Sequence, residues 1–170
     1  MSGGQNANAG RNADERDGRT VPHEPVLLTE VLEHLQAAPG KVIVDATFGA
    51  GGHSRAFLEA GAQVIGIDQD REAERHAERL AYQGLRLVIG NFRDLPEHLE
   101  GLGAPRVDGI LCDLGVSSMQ IDEGERGFAF RQSGPLDMRM SREAQRSAAD
   151  VVNELPVEEL FFIGFLSYLT

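Results

Sequence analysis

Cysteine is almost missing from this sequence: Cys112 stands alone. One thiol makes neither an internal disulfide nor a multi-cysteine zinc site, so redox and structural-zinc readings fall away. Long apolar runs are missing too. No stretch approaches the ~18 residues that span a bilayer, and the first residues lack the basic-then-apolar order of a secretory signal. The expected setting is the cytoplasm. Self-similarity at periods of about 20 to 50 residues is also absent, which removes solenoids and propellers. Positive charge is scarce as well. A formal net charge of −11 argues against a generic nucleic-acid coat, because phosphate binding draws on a basic surface.

What is present is globular: 41% apolar and 25% charged residues in a chain of 170, the size of one domain. Residues 1–20, rich in Gly, Asn, Arg and Asp, carry too few apolar side chains to join a core and are expected to form a disordered tail. The fold begins near Val21. Apolar positions Val26, Leu27, Val31, Leu32 and Leu35 recur at helical spacing, and Pro39-Gly40 ends the helix they predict. Two β-branched runs follow, Val42–Asp45 and Gln63–Asp68, each ending on a carboxylate. Between them His53–Ala60 reads as a helix entered from Gly49-Ala50-Gly51-Gly52 and stopped at Gly61. Next come a charged helix over Arg71–Tyr82, a strand over Leu85–Ile89, a short helix over Leu95–Leu99 and a strand over Val107–Cys112. Such alternation predicts an α/β fold with a Rossmann-like, doubly wound parallel sheet, whose ligands bind at the carboxyl ends of the strands.

After Asp113 the alternation stops. Residues 114–140 read as loop, and a helix resumes around Glu143–Glu154. Five arginines stand between Arg126 and Arg146, against only Asp137 and Glu143. This modest basic segment reads either as solvated charge or as one wall of a groove for RNA.

The first strand leads through Asp45-Ala46-Thr47-Phe48 into the glycine turn. Glycines let a ligand approach the main chain, and the helix start offers free N–H donors. Taken singly the spacing is weak, since it also fits a loosened dinucleotide fingerprint. Asp45 shifts the balance: an acid there would repel a pyrophosphate and suits a ligand's ammonium group. Asp68, at the next strand end, is placed to accept hydrogen bonds from two ribose hydroxyls. A molecule with an amino acid at one end and a ribose at the other is S-adenosylmethionine. At the third strand end Phe92 can cover an adenine face. At the fourth, Asp113 and the carbonyl of Leu114 can either orient a target amine or hold the cofactor's amino-acid portion.

Four motifs, in one order, make the pattern specific: His23-Glu24-Pro25-Val26-Leu27-Leu28, Asp45 to Ser54, Asp113-Leu114-Gly115-Val116-Ser117-Ser118, and Gly127-Phe128-Ala129-Phe130 through Gly134-Pro135-Leu136-Asp137-Met138-Arg139-Met140. Together they resemble the bacterial 16S ribosomal RNA cytosine-N4 methyltransferase family over roughly Pro22 to Leu160. The resemblance implies an S-adenosylmethionine-dependent enzyme that methylates the exocyclic N4 of a cytidine in small-subunit ribosomal RNA, its partner being that RNA or the assembled subunit. Carried over residue by residue, it implies cofactor contacts at Gly51, Gly52, His53, Asp68, Phe92, Asp113 and Gln120, with Asp113 as the catalytic residue and no metal. Gln120 rests on the resemblance alone.

It also implies a division into the tail 1–20, a cofactor-binding part 21–113, and the start of a helical substrate-recognition part from 114 to 170. The run Phe161 to Thr170 departs from the family's pattern, so a truncated or frame-altered ending is expected there, with low activity and a sheet edge left open. The rival readings are a non-catalytic α/β fragment and an NAD-dependent oxidoreductase.

Overall fold

Ile43, Val44, Val64 and Ile65 have no exposed surface, as strands covered on both faces require. They belong to β1 (Val42–Asp45) and β2 (Gln63–Asp68), which pair in parallel with Ile43 opposite Val64 and Val44 opposite Ile65. Because side chains alternate along a strand, Ile43 and Val64 face one core with Phe57, Leu58 and Leu80. Val44 and Ile65 face a second, with Ile67 and Leu99. The structure, a computed structural model, describes residues 25–161. The expected tail 1–20, the residues His23 and Glu24, and most of the apolar run that ends at Thr170 lie outside the described residues.

The helices divide between the two cores. On the first lie α1 (Leu28–Leu35), α2 (Gly52–Glu59) and α3 (Ala73–Ala77). The second is covered by α4 (Leu95–Gly101). With β3 (Leu85–Ile89) and β4 (Gly109–Leu111) the sheet is four-stranded and parallel, in the order β3-β2-β1-β4. The doubly wound α/β expectation is met. The chain winds outward from β1 to β3 and then returns to the far side of β1, so the order reverses between β1 and β4. A crevice at the carboxyl ends of the strands belongs at that reversal.

Four expected boundaries move. The helix predicted over Arg71–Tyr82 is broken into α3 and a 3₁₀ turn at Ala81–Gln83. Asp70 delays its start by accepting the Glu72 N–H, and the tighter turn buries Leu80 before the chain reverses at Gly84, φ 106°. At β4 the strand is shorter than predicted; just before it Asp108 donates its N–H to the Val42 carbonyl at 2.8 Å, and its carboxylate takes the Val42 N–H and Lys41 Nζ, both at 2.8 Å. The predicted loop 114–140 contains a helix, α5 (Ser118–Asp122), and a 3₁₀ turn at Gly124–Arg126. Finally, α6 (Ala148–Glu154) begins later than Glu143, where Ser147 and Asp150 form a capping box.

Candidate functional site

Three bonds stitch the strand ends together. The Gly49 N–H donates to Asp68 Oδ2 at 2.7 Å, joining the turn after β1 to the end of β2. The Asp113 N–H donates to Thr47 Oγ1 at 2.8 Å, joining the turn after β4 to the same glycine turn. A longer bond, 3.4 Å from Asn91 Nδ2 to Gln69 Oε1, links the ends of β3 and β2. The segments that carry Asp68, Phe92 and Asp113 are therefore held as one rim.

Asp68 is half-buried, and its other oxygen accepts the Asp70 N–H at 2.8 Å. A carboxylate can take about four hydrogen bonds; the Gly49 and Asp70 N–H groups fill two, and the Gln69 N–H also lies toward it. Burial pushes its carboxyl above the ordinary range, against the pull of those N–H donors. Phe92 is 41% exposed in a 3₁₀ turn just after β3, so its ring is not spent on the core. Asp113 is exposed, and among the described residues its carboxylate has no hydrogen-bond partner.

The glycine turn is packed tightly from within. Gly51 caps α2 at φ 78°, and a Cβ there would stand 2.8 Å from the Phe48 ring. At Gly52 a Cβ would meet Pro25 at 2.6 Å. Both glycines are required by the protein's own packing, whereas at Gly49, φ 54°, a Cβ would make only an ordinary contact with the Thr47 carbonyl oxygen at 3.9 Å. His53 is buried with Nε2 3.0 Å from the Val26 carbonyl. A carbonyl only accepts, so that nitrogen carries the proton.

Asp45 requires a correction. Its suggested role toward a ligand's ammonium group fails because the residue is 1% exposed and Ser54 Oγ donates to its Oδ2 at 2.7 Å. The carboxylate secures the start of α2. Burial raises its pKa more than Ser54 and His53 lower it.

Gln120 is neither in a loop nor solvated. It sits in α5, 7% exposed, with Oε1 accepting the Ser117 N–H while the Ser117 hydroxyl accepts the Gln120 N–H. Its Nε2 makes a long bond of 3.4 Å to Asp70 Oδ2. The spacing Ser117-x-x-Gln120 is a capping box and could have been read as one.

The arginine segment also departs from expectation. Arg126 is buried and pairs with Asp70 at 2.7 Å. Arg139 grips Asp137 through two bonds of 2.8 Å, Arg142 pairs with Glu123, and Arg146 with Glu154. Four of the five side chains thus have carboxylate partners, and only Arg131 lacks one among the described residues. The carboxylates offset much of the segment's positive charge, and the pairs of Arg142 and Arg146 are solvated. Thr47 and Asp70 are participants without a role in the sequence-based expectation, and Arg126, expected in a solvated or RNA-facing segment, is instead the buried partner of Asp70. A cavity of about 430 Å³ lies against this network, lined by Asp70, His76, Arg79, Met119, Gln120 and Arg126 among others. Among the described residues no helix is long and apolar enough to cross a membrane, and no cluster of His, Cys, Asp and Glu is arranged to hold a metal ion.

Sheet order, glycine turn and strand-end carboxylates define a Rossmann-like domain of the methyltransferase kind. Residues 20–168 match the model of the MraW methylase family, and the chain belongs to that family. Among its relatives is a protein of Rhizobium meliloti (strain 1021) named ribosomal RNA small subunit methyltransferase H, 52% identical over 161 residues, or 92% of this chain and 46% of the relative. A protein of the same name from Deinococcus radiodurans is 52% identical over 141 residues, covering 83% of this chain and 45% of its own. The chain thus spans about half the length of these curated relatives. Among solved structures, the C-terminal domain of precorrin-6Y C5,15-methyltransferase from Rhodobacter capsulatus is similar over 60% of this chain and 55% of its own, at 20% identity and a TM-score of 0.44.

Proposed function

We propose that the rim binds S-adenosylmethionine and that the whole protein transfers its methyl group to the exocyclic N4 of a cytidine in small-subunit ribosomal RNA. The observation that carries this is the stitching of the strand ends beside the sheet's reversal, with a half-buried Asp68 that keeps acceptor capacity for a ligand. Asp68 holds the ribose hydroxyls through its remaining lone pairs. The exposed ring of Phe92 covers the adenine. Gly51, Gly52 and His53 fix the shape of the turn that faces the cofactor, and Gln120 keeps α5 beside it. The cofactor supplies an activated methyl group bound to a positively charged sulfur. Asp113, tied to the glycine turn by its own N–H, accepts a hydrogen bond from the target amine and so keeps electron density on the nitrogen that receives the methyl group.

Family membership and the relatives' names support ribosomal RNA as the substrate class; in this reading the RNA is met free or in the assembled small subunit, in the cytoplasm. Residues 21–113 form the cofactor part in this reading, and 114 onward begins the part that meets the RNA. Labelled S-adenosylmethionine and small ribosomal subunits test it, using a chain of the relatives' length that carries this region. Label is expected at a cytidine N4, and Asp113→Asn should cut turnover by roughly a hundredfold with folding intact. Label on another atom would overturn the substrate assignment, and unchanged turnover would remove Asp113 from the chemistry.

A further inference from the structure

Arginine is rarely buried unless all of it is engaged, and Arg126 is 5% exposed. Its Nη1 lies 2.7 Å from Asp70 Oδ2. Its Nη2 donates to the carbonyls of Arg139 and Met140 at 3.1 and 2.9 Å, and its own carbonyl accepts the Met138 N–H at 3.0 Å. Asp70 faces the other way along the chain of contacts. Its N–H donates to Asp68 Oδ1, and its Oδ2 also receives Gln120 Nε2. An unbroken series of bonds therefore runs from Asp68, through Asp70 and Arg126, to the turn at Met138-Arg139-Met140.

We propose that Asp70 and Arg126 are positioning residues that dock the segment 124–149 onto the turn after β2, so that Asp68 and this segment keep one fixed geometry. For the identity of the ligand at Asp68 the inference rests on the function proposed above. Simple cohesion does not explain such a pair, because burying two charges costs desolvation that an apolar contact avoids. What the ion pair adds is direction. A guanidinium carries its donors in a planar fork, and here the fork fixes a carboxylate on one side and two carbonyls on the other. Ligand binding at Asp68 and ordering of the segment are then thermodynamically linked, each favouring the other.

The test is residue-resolved amide hydrogen exchange on this chain without ligand, with the N–H groups of Ile65 and Ile67 as the reference for intact folding. Arg126→Met keeps much of the stem and strands Asp70. Exchange at Met138, Ala148 and Ala149, whose N–H groups serve the carbonyls of Arg126, Asp137 and Leu136, should rise by roughly tenfold, and at Gly49 and Asp70 by roughly threefold. If Arg126→Met does not fold, Asp70→Asn with Arg126→Met removes both charges and should show the same two-sided loosening.

S-adenosylmethionine should slow exchange at Met138 and Ala148 in the parent and fail to do so in Asp70→Asn, a readout that a purely local structural role would not move. Loosening confined to the segment, no loosening at all, or equal ligand-induced protection in parent and Asp70→Asn would each overturn the proposal. A parent that binds no S-adenosylmethionine defeats the functional reading instead, and the ligand-free exchange still decides whether the pair couples the two regions.

Discussion

At the carboxyl ends of β1 and β2, Asp45 and Asp68 are held by a buried hydroxyl and by backbone N–H groups. In the segment 124–150, Asp137 is held by the Arg139 fork and Asp150 by Ser147, both nearer to solvent. The consequence is opposite in sign. Burial raises the carboxyls of Asp45 and Asp68 above their ordinary range. The Arg139 fork pulls Asp137 down to about 2, and Ser147 lowers Asp150. One region is built from main-chain geometry around a sheet and accepts the cost of dry carboxylates; the other is laced together by side-chain partners. Within the first region the two carboxylates differ: Asp45 is sealed by Ser54 and secures α2, whereas half-buried Asp68 stays open to a ligand.

Breaking the first region should have the largest effect. Ser54 is fully buried, and Ser54→Ala would leave Asp45 without its short hydroxyl donor. The loss should be about 1–3 kcal/mol of stability, read by chemical denaturation. A change below a few tenths would mean that Asp45 is held by packing alone.

Acid should separate the regions more gently. A carboxyl whose folded pKa is raised contributes stability below its ordinary value near 3.8, and loses it as pH rises through the folded value. Asp45 and Asp68 behave this way. A lowered one contributes above 3.8 and loses it as pH falls through the folded value, about 2 for Asp137. Between pH 4 and 2, amide protection at Arg139 and Ala148 should therefore fall while protection at Gly49 is retained, after correction for intrinsic exchange. Parallel loss in both regions would erase the distinction.

The two regions were unequally legible in the sequence. β1, β2 and β3 were readable because β-branched runs ending on Asp45, Asp68 and Ile89 carry a local signal, and the glycine turn marks the entry to α2. Asp68 and Asp113 followed from strand ends. Asp45 was located correctly, but the Ser54 hydroxyl that occupies it comes from a helical turn nine residues on. Arg126 could not be recognised as buried, because its partner Asp70 lies 56 positions earlier and only the fold brings them together. The boundary of α6 was misplaced since Glu143 looked helical, although Ser147-x-x-Asp150 held the capping signal.

In the proposed function, the strand-end rim organised by Asp68 is an S-adenosylmethionine site. Calorimetric titration of this chain with S-adenosylmethionine, with NAD as the comparison ligand and Asp68→Asn as the variant, tests it most directly. The parent should bind S-adenosylmethionine and not NAD, and Asp68→Asn should weaken binding by roughly tenfold or more through lost charged hydrogen bonds. Equal affinity in parent and variant, or tight binding of NAD by the parent, would contradict it.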